Sequence, residues 1–352
     1  MKLQRHALVP FAATFLAASA VTVIAPTAQA GPQSAAQACA YTASLLAVPS
    51  GAEAGAVTAE GGAGVYAGEI EFPEEGALQH AGLWKDGRFT DLGPAAGADG
   101  DLYISDVNGK GTVVGHGAEL RGGSDGFPQY SWFPVVSRDG KLERLPVLPG
   151  TYNVQTRAIT ENGDIYGDGY GDDPNYTEVY KWPADQPGTV VKLSGLPRGS
   201  HVEGVDTDGT VAVTAVDNPK GTWLPYLWKD GVAKRLPIPA GAAHAQINGI
   251  ANGYVVGDAL ASDFSRSAVL WNKNGQALAL PNGSGADLVN SSGLILGSNK
   301  KLAAGLWQLT TSLGAAPSDG ELNTLGEDGT LAGAKARAGT TYPRFPAVWR
   351  CG

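Results

Sequence analysis

The sequence predicts an all-β fold, a seven-bladed β-propeller of four-stranded antiparallel blades whose last blade is closed by the N-terminal strand. Three observations carry that expectation. A Trp-ending stretch recurs seven times, the turns between stretches are rich in Asn-Gly and Asp-Gly, and an unpaired strand with a nearby cysteine stands at each end of the chain.

The chain begins with a basic start (Lys2, Arg5), an apolar stretch from Ala7 to Ile24 and a small-residue end, Ala28-Gln29-Ala30. That layout is a secretory leader over residues 1–30, which leaves a mature domain over 31–352, a secreted location and no stable membrane anchor after cleavage. Loss of Lys2 and Arg5 takes the formal charge from −9 to −11. A surface this acidic repels phosphate backbones, so nucleic acid is excluded as a main partner. Fifty glycines, 22 prolines and no long stretch of 3.6-residue periodicity point to many short strands.

The repeat is read from its Trp stretches: HAGLW (Trp84), QYSWF (Trp132), EVYKW (Trp182), LPYLW (Trp228), SAVLW (Trp271), AAGLW (Trp307) and FPAVW (Trp349). Upstream of each stands a strand ending in Gly68, Gly115, Gly167, Thr214, Gly257, Gly297 or Gly333, and downstream of the first six comes a Leu stretch such as LERLP or AKRLP. Turns such as VNGKG, TENGD and KDG supply the positive φ of tight hairpins, so each unit is a four-stranded meander. The blades fall near 55–93, 104–147, 157–195, 202–239, 246–281, 286–315 and 321–351. A lone meander cannot bury both faces, whereas a ring of them can, and the tryptophans then fill the spaces between sheets. Blade seven lacks its outermost strand and residues 40–48 (AYTASLLAV) offer a spare one. Placing it beside Trp349 brings Cys39 to Cys351, and in an oxidising compartment these two pair as a disulfide.

At these residues the chain resembles the HAF-type extracellular repeat proteins of bacteria, most closely in HAGLWKDGRFTDLG (80–93) and INGIANGYVVG (247–257). The resemblance implies export and a propeller-like fold, and carries no agreed activity.

Function is less legible. The second-to-third-strand loops are long at 117–130, 167–178 and 217–223, with Arg121 and Lys220 among their charges. Loops and blade links offer ligand-binding candidates: Tyr130, Tyr170, Tyr176, Trp223, Asp168, Asp172 and Asp173, with His201 and His244 read as equivalent inter-blade positions. Acidic groups beside exposed aromatics suit a glycan, peptide or protein. Gly122-Gly123-Ser124-Asp125-Gly126 matches G-x-S-x-G but lacks the strand-to-helix elbow that chemistry needs. Asp168 to Asp173 lacks the register of a calcium loop, so no metal and no cofactor are expected. The leading expectation is a monomeric, secreted binding module, with catalytic residues unknown. A carbohydrate-active or other hydrolytic enzyme using loop carboxylates, and a structural extracellular component, are the alternatives.

Overall fold

The computed structural model describes residues 39–62, 64–73, 79–122, 129–216 and 221–352. The expected leader, most of the G-x-S-x-G segment and Lys220 lie outside the described residues.

Among the described residues, strands are the only regular elements and form seven four-stranded antiparallel sheets. The inner strands of blades 1 to 7 are Ala54–Glu60, Leu102–Val107, Tyr152–Ile159, Ser200–Val205, His244–Ala251, Gly283–Val289 and Glu321–Leu325. Each neighbours the next, and the seventh returns to the first. In blade 7 the order from the centre outward is Glu321–Leu325, Leu331–Ala336, Arg344–Cys351 and Tyr41–Leu45, so the N-terminal strand closes the ring. Tyr41 pairs with Cys351 and Leu45 with Ala347, and Cys39 is disulfide-bonded to Cys351 with the Cα atoms 5.6 Å apart.

The tryptophans pack between blades. Trp182, Trp271, Trp307 and Trp349 are nearly solvent-free, each in a cluster with residues of the preceding blade. Their indole N–H groups also reach back to that blade: Trp182 donates to Pro146 O (2.7 Å), Trp271 to Pro237 O (2.8 Å) and Trp307 to Pro281 O (3.1 Å). Trp84 donates to Ala47 O beyond the closing strand, Trp228 to Ser194 O and Trp349 to the Asp319 carboxylate. The segments at or after the Leu stretches of blades 2 to 6 therefore present an acceptor to the next blade.

Trp132 departs from the expected repeat. In the other blades Trp pairs with the residue two before the Gly position, as Trp84 does with Tyr66. In blade 2 Gly115 pairs with Val135, so that place belongs to Ser137, whose Oγ accepts from Val113 N (2.8 Å). Trp132 lies five residues earlier, toward the opposite face. Blade 4 needs a similar correction: Trp228 pairs with Val211, so Val213 and not Thr214 occupies the Gly place.

Every inner strand carries a β-bulge, and the extra residues are Thr58, Ser105, Arg157, Glu203, Asn248, Asp287 and Asn323. Four of them tie one blade to the next by donating to the carbonyl just before the next bulge. Thr58 reaches Ile104 O (3.2 Å), Ser105 Thr156 O (2.7 Å), Asn248 Ala286 O (2.9 Å) and Asn323 Val57 O (2.9 Å). The residue after the Gly place on the second strand completes the clasp by accepting an amide N–H of the following blade. Glu69 accepts from Ile104, Asp168 from Val202, Thr214 from Ile247 and Asp258 from Ala286. Bulging frees backbone groups at the sheet edge, and this polar belt satisfies them.

Candidate functional site

Three extra residues break the clasp by being charged: Arg157, Glu203 and Asp287. Departures from an otherwise consistent repeat are where function is sought. All three lie just past the middle of their inner strands; the face that carries the second-to-third-strand loops is called the wide face below.

Arg157 and Glu203 belong to a four-membered cluster with Asp168 and His201 on blades 3 and 4. Asp168 was expected in a loop, but it stands within the second strand of blade 3 (Ile165–Tyr170) with its carboxylate buried. It accepts from Val202 N (3.0 Å) and from Arg157 Nε (3.2 Å), and His201 Nδ1 lies 3.5 Å away. Burial alone would push the Asp168 carboxyl up, but His201 and Arg157 together hold it below the usual range. The hydrogen bond to Asp168 raises His201 in turn. Glu203 is pushed up to about 7, chiefly by burial, against a hydrogen bond from Thr214. The cluster therefore holds a carboxyl that exchanges its proton near neutral pH beside an Asp-His pair, the elements of acid-base chemistry. His201 Nε2 also sits 3.3 Å from Thr177 Oγ1, but Thr177 is buried and donates its proton to Ser200 O (3.0 Å), which makes it a structural hydroxyl and no nucleophile.

The other expected residues are dispersed over the wide face. His201 and His244 are not equivalent: counted from the bulges, His201 matches Gln246, while His244 opens the blade 5 inner strand and accepts from Trp223 N (3.3 Å). Tyr176 is covered by the Arg198 guanidinium at 4.0 Å, and Arg198 is paired with Asp173. Asp172 is exposed and Tyr170 stacks on Tyr152 (centroids 5.4 Å, 17° between planes). Tyr130 is half exposed at the start of its strand. Tyr103, missed by sequence reasoning, lies 5.5 Å from His116 in a stacked pair and 5.4 Å edge-on from Trp132. Among the described residues no three His, Cys, Asp or Glu side chains converge as a metal-ligand set.

The aromatic distribution is one-sided. The six most exposed aromatic rings among the described residues, Tyr103, Tyr130, Tyr152, Trp223, Phe264 and Tyr342, all stand at the wide-face ends of strands or in the loops between second and third strands. The opposite face carries the tight Gly turns.

No protein-family model matches the chain, and no curated protein matches it. Solved structures do. The β-propeller domain of the Trilobed protease from Pyrococcus furiosus, described as having an open velcro topology, aligns with a TM-score of 0.56 at 9% identity, over 86% of this chain and 95% of that one. Acylaminoacyl peptidase from Pyrococcus horikoshii aligns at 0.54 and 9% identity over 85% of this chain, which spans 51% of the peptidase. A chain of the mitotic checkpoint complex aligns at 0.51 and 11% identity, over 95% and 98%. The chain is a seven-bladed β-propeller. At these identities the likeness extends to the fold alone.

Buried carboxyls give this propeller a pH signature. Glu60, Glu69, Asp106 and Glu203 are each pushed up to about 7, with burial the leading cause. A carboxyl raised in the folded state keeps its proton after the unfolded chain has lost it, so stability falls as pH rises from the unfolded value toward 7. His201, also raised, loses its contribution in the same direction, while His116, lowered to about 4 by burial and Arg157, opposes it. The thermal midpoint is expected to drop by roughly 5 °C between pH 5 and pH 8, at on the order of 1 kcal/mol per carboxyl. Glu203→Gln should flatten that slope in calorimetry; a midpoint that climbs across this interval contradicts the assignment.

Proposed function

We propose that the protein is an exported binding module that holds a glycan against the wide face of blades 2 and 3. The observation that carries this reading is the gathering of exposed aromatic rings on one face. On blades 2 and 3 those rings are already oriented by partners: Tyr103 by His116 and Trp132, and Tyr152 by Tyr170. Rings held in place lose little freedom when a sugar face stacks on them. The net charge, −9 over the full sequence and −11 without residues 1–30, disfavours polyanions, so the glycan is neutral or cationic. Export is supported by the basic, apolar and small-residue zones of the first 30 residues and by a disulfide, which persists in an oxidising compartment.

Retention on neutral and amino-sugar polysaccharides, set against sulfated ones, tests this. Tyr103→Ala and Tyr152→Ala are each expected to weaken retention about tenfold at an unchanged thermal midpoint, and Trp223→Ala, on blade 4, less than threefold. Retention that survives loss of both tyrosines, or that favours sulfated chains, rejects the site. A hydrolytic reading draws on the Arg157, Asp168, His201 and Glu203 cluster, and turnover of a bound glycan that disappears in Glu203→Gln would favour it.

A further inference from the structure

Among the described residues eight hairpins share one turn, in which residue i donates its N–H to the carbonyl of i+4 and residue i+3 donates its N–H to the carbonyl of i. Six of them place glycine at the left-handed i+3 position: Gly111, Gly163, Gly209, Gly275, Gly293 and Gly329. The other two are wide-face loops of blades 5 and 6, at 261–265 and 299–303, and they place Phe264 (φ 64°) and Leu302 (φ 60°) there. Bulky side chains are disfavoured in this region because Cβ crowds the following carbonyl. Leu309, another left-handed leucine, packs against the cluster around Trp307. Phe264 and Leu302 have no such compensation, being 82% and 83% exposed. Local preference and burial thus both speak against these side chains, and something outside the fold has to account for them.

Between the two loops lies a cleft of about 700 Å³, lined by Leu302, Ala261 and Ser265, with Asp258 and Asp287 across Gly285. Both carboxylates approach the point where a Cβ on Gly285 would sit, at 3.0 and 3.8 Å, so the missing side chain keeps the cleft open between them. Asp258 is fully engaged by Ala286 N, Gln246 and Arg266. Asp287 makes no hydrogen bond or ion pair among the described residues, and neither does the Lys300 ammonium at the rim. The cleft thus joins the displayed Leu302, with Phe264 on the adjoining loop, to a carboxyl and an ammonium that make no direct hydrogen bond or ion pair among the described residues; burial and Asp258 push the Asp287 carboxyl up, against the attraction of Arg266, whose own ion pair is with Asp258.

We propose that this cleft docks an extended segment of a partner protein that carries a Lys or Arg for Asp287 and an Asp or Glu for Lys300, flanked by apolar residues that pack on Phe264 and Leu302. The opposite charges favour this occupant over a neutral glycan, which would leave both unpaired, and the site lies on different blades from the one proposed above. Main-chain N–H groups of an extended segment also suit the hydroxyl oxygens of Ser267 and Ser284, whose protons go to Ala259 O and Asn299 O, while the Ser265 hydroxyl lines the same cleft.

The test uses a fluorescein-labelled pentapeptide, Leu-Lys-Ala-Glu-Leu with blocked ends, titrated into the mature protein and followed by anisotropy. It should bind at least tenfold more tightly than the versions with norleucine for Lys or Gln for Glu. Asp287→Asn should abolish the preference for Lys, and Lys300→Met the preference for Glu. Phe264→Gly and Leu302→Gly should each weaken binding at least tenfold while the thermal midpoint holds or rises, because glycine is what the same turn uses elsewhere. A fall in midpoint in those variants would assign the side chains to the fold and overturn the proposal. So would equal binding of the three peptides, displacement of the peptide by a neutral oligosaccharide, or self-association of the protein that vanishes in Leu302→Gly. The tyrosine variants on blades 2 and 3 should bind the peptide normally, which separates this site from the glycan reading.

Discussion

Serine at both Cys39 and Cys351 is expected to lower the thermal midpoint by about 10 °C. The bond joins residues 312 apart in sequence, and chain-entropy arithmetic for a loop of that length gives about 5 to 6 kcal/mol. Native strain and residual structure in the unfolded chain reduce that figure, and a domain of this size loses about 2 °C per kcal/mol. Non-covalent contacts share the latch: five paired residues from Tyr41–Cys351 to Leu45–Ala347, Leu46 N to Pro346 O (2.8 Å), the Tyr41 hydroxyl to Gly329 O (3.2 Å) and Trp84 to Ala47 O (2.6 Å). These keep the ring closed in the double mutant at room temperature but let the N-terminal strand peel first on heating. Hydrogen exchange is therefore expected to rise earliest at 41–45, and calorimetry should show a broadened transition. A midpoint within 2 °C of wild type would mean that pairing alone closes the ring.

The architecture was readable because a propeller repeats its constraints. Gly257 shows one of them: a Cβ there would fall 1.9 Å from Gln246 O, and the Gly residues of five other blades face the same obstacle at the corresponding carbonyl. Turn glycines and tryptophans repeat for comparable reasons, so spacing revealed seven units. Residue identity and register part company in blade 2. Trp132 shares the residue type but not the register: after Trp84 and Trp228 the turn glycine comes three residues later, at Gly87 and Gly231. Counting back three from Gly140 finds Ser137 instead.

The wide-face chemistry was less readable, since it depends on contacts between blades. Asp168 lay in a segment that looked like loop, and only the position after Gly167, shared with Glu69, Thr214 and Asp258, marks it as a clasp residue. Glu203 and Asp287 carry no motif. They stand out only when seven bulges are superposed and Thr, Ser and Asn prove to be the residues that reach the next blade. Phe264 and Leu302 do carry a sequence signal, as non-glycine residues in a turn where the chain elsewhere uses glycine.

Trp271→Ala tests the packing between blades most severely. Trp271 has no solvent exposure and packs with Ala212 and Leu236 of blade 4 and with Val255 and Val269 of its own sheet. Deleting the ring leaves a cavity bounded by two sheets, neither of which can move inward without disturbing its other neighbour in the closed ring. Little collapse is available, so the loss should lie near the upper part of the usual range of about 3 to 5 kcal/mol for such truncations. The Pro237 carbonyl loses its indole donor as well, a further cost of about 1 kcal/mol if water does not replace it. Trp271→Phe retains most of the apolar contact but not the N–H, so its loss isolates the hydrogen bond. Trp228→Ala provides the control: Trp228 makes the same kind of bond to Ser194 O but is only partly buried, so its removal should cost about half as much. Urea midpoints of the three variants, at unchanged slope, decide the matter. Equal losses at Trp228 and Trp271 would show that the bond to the preceding blade, and not burial of the ring, holds adjacent sheets together.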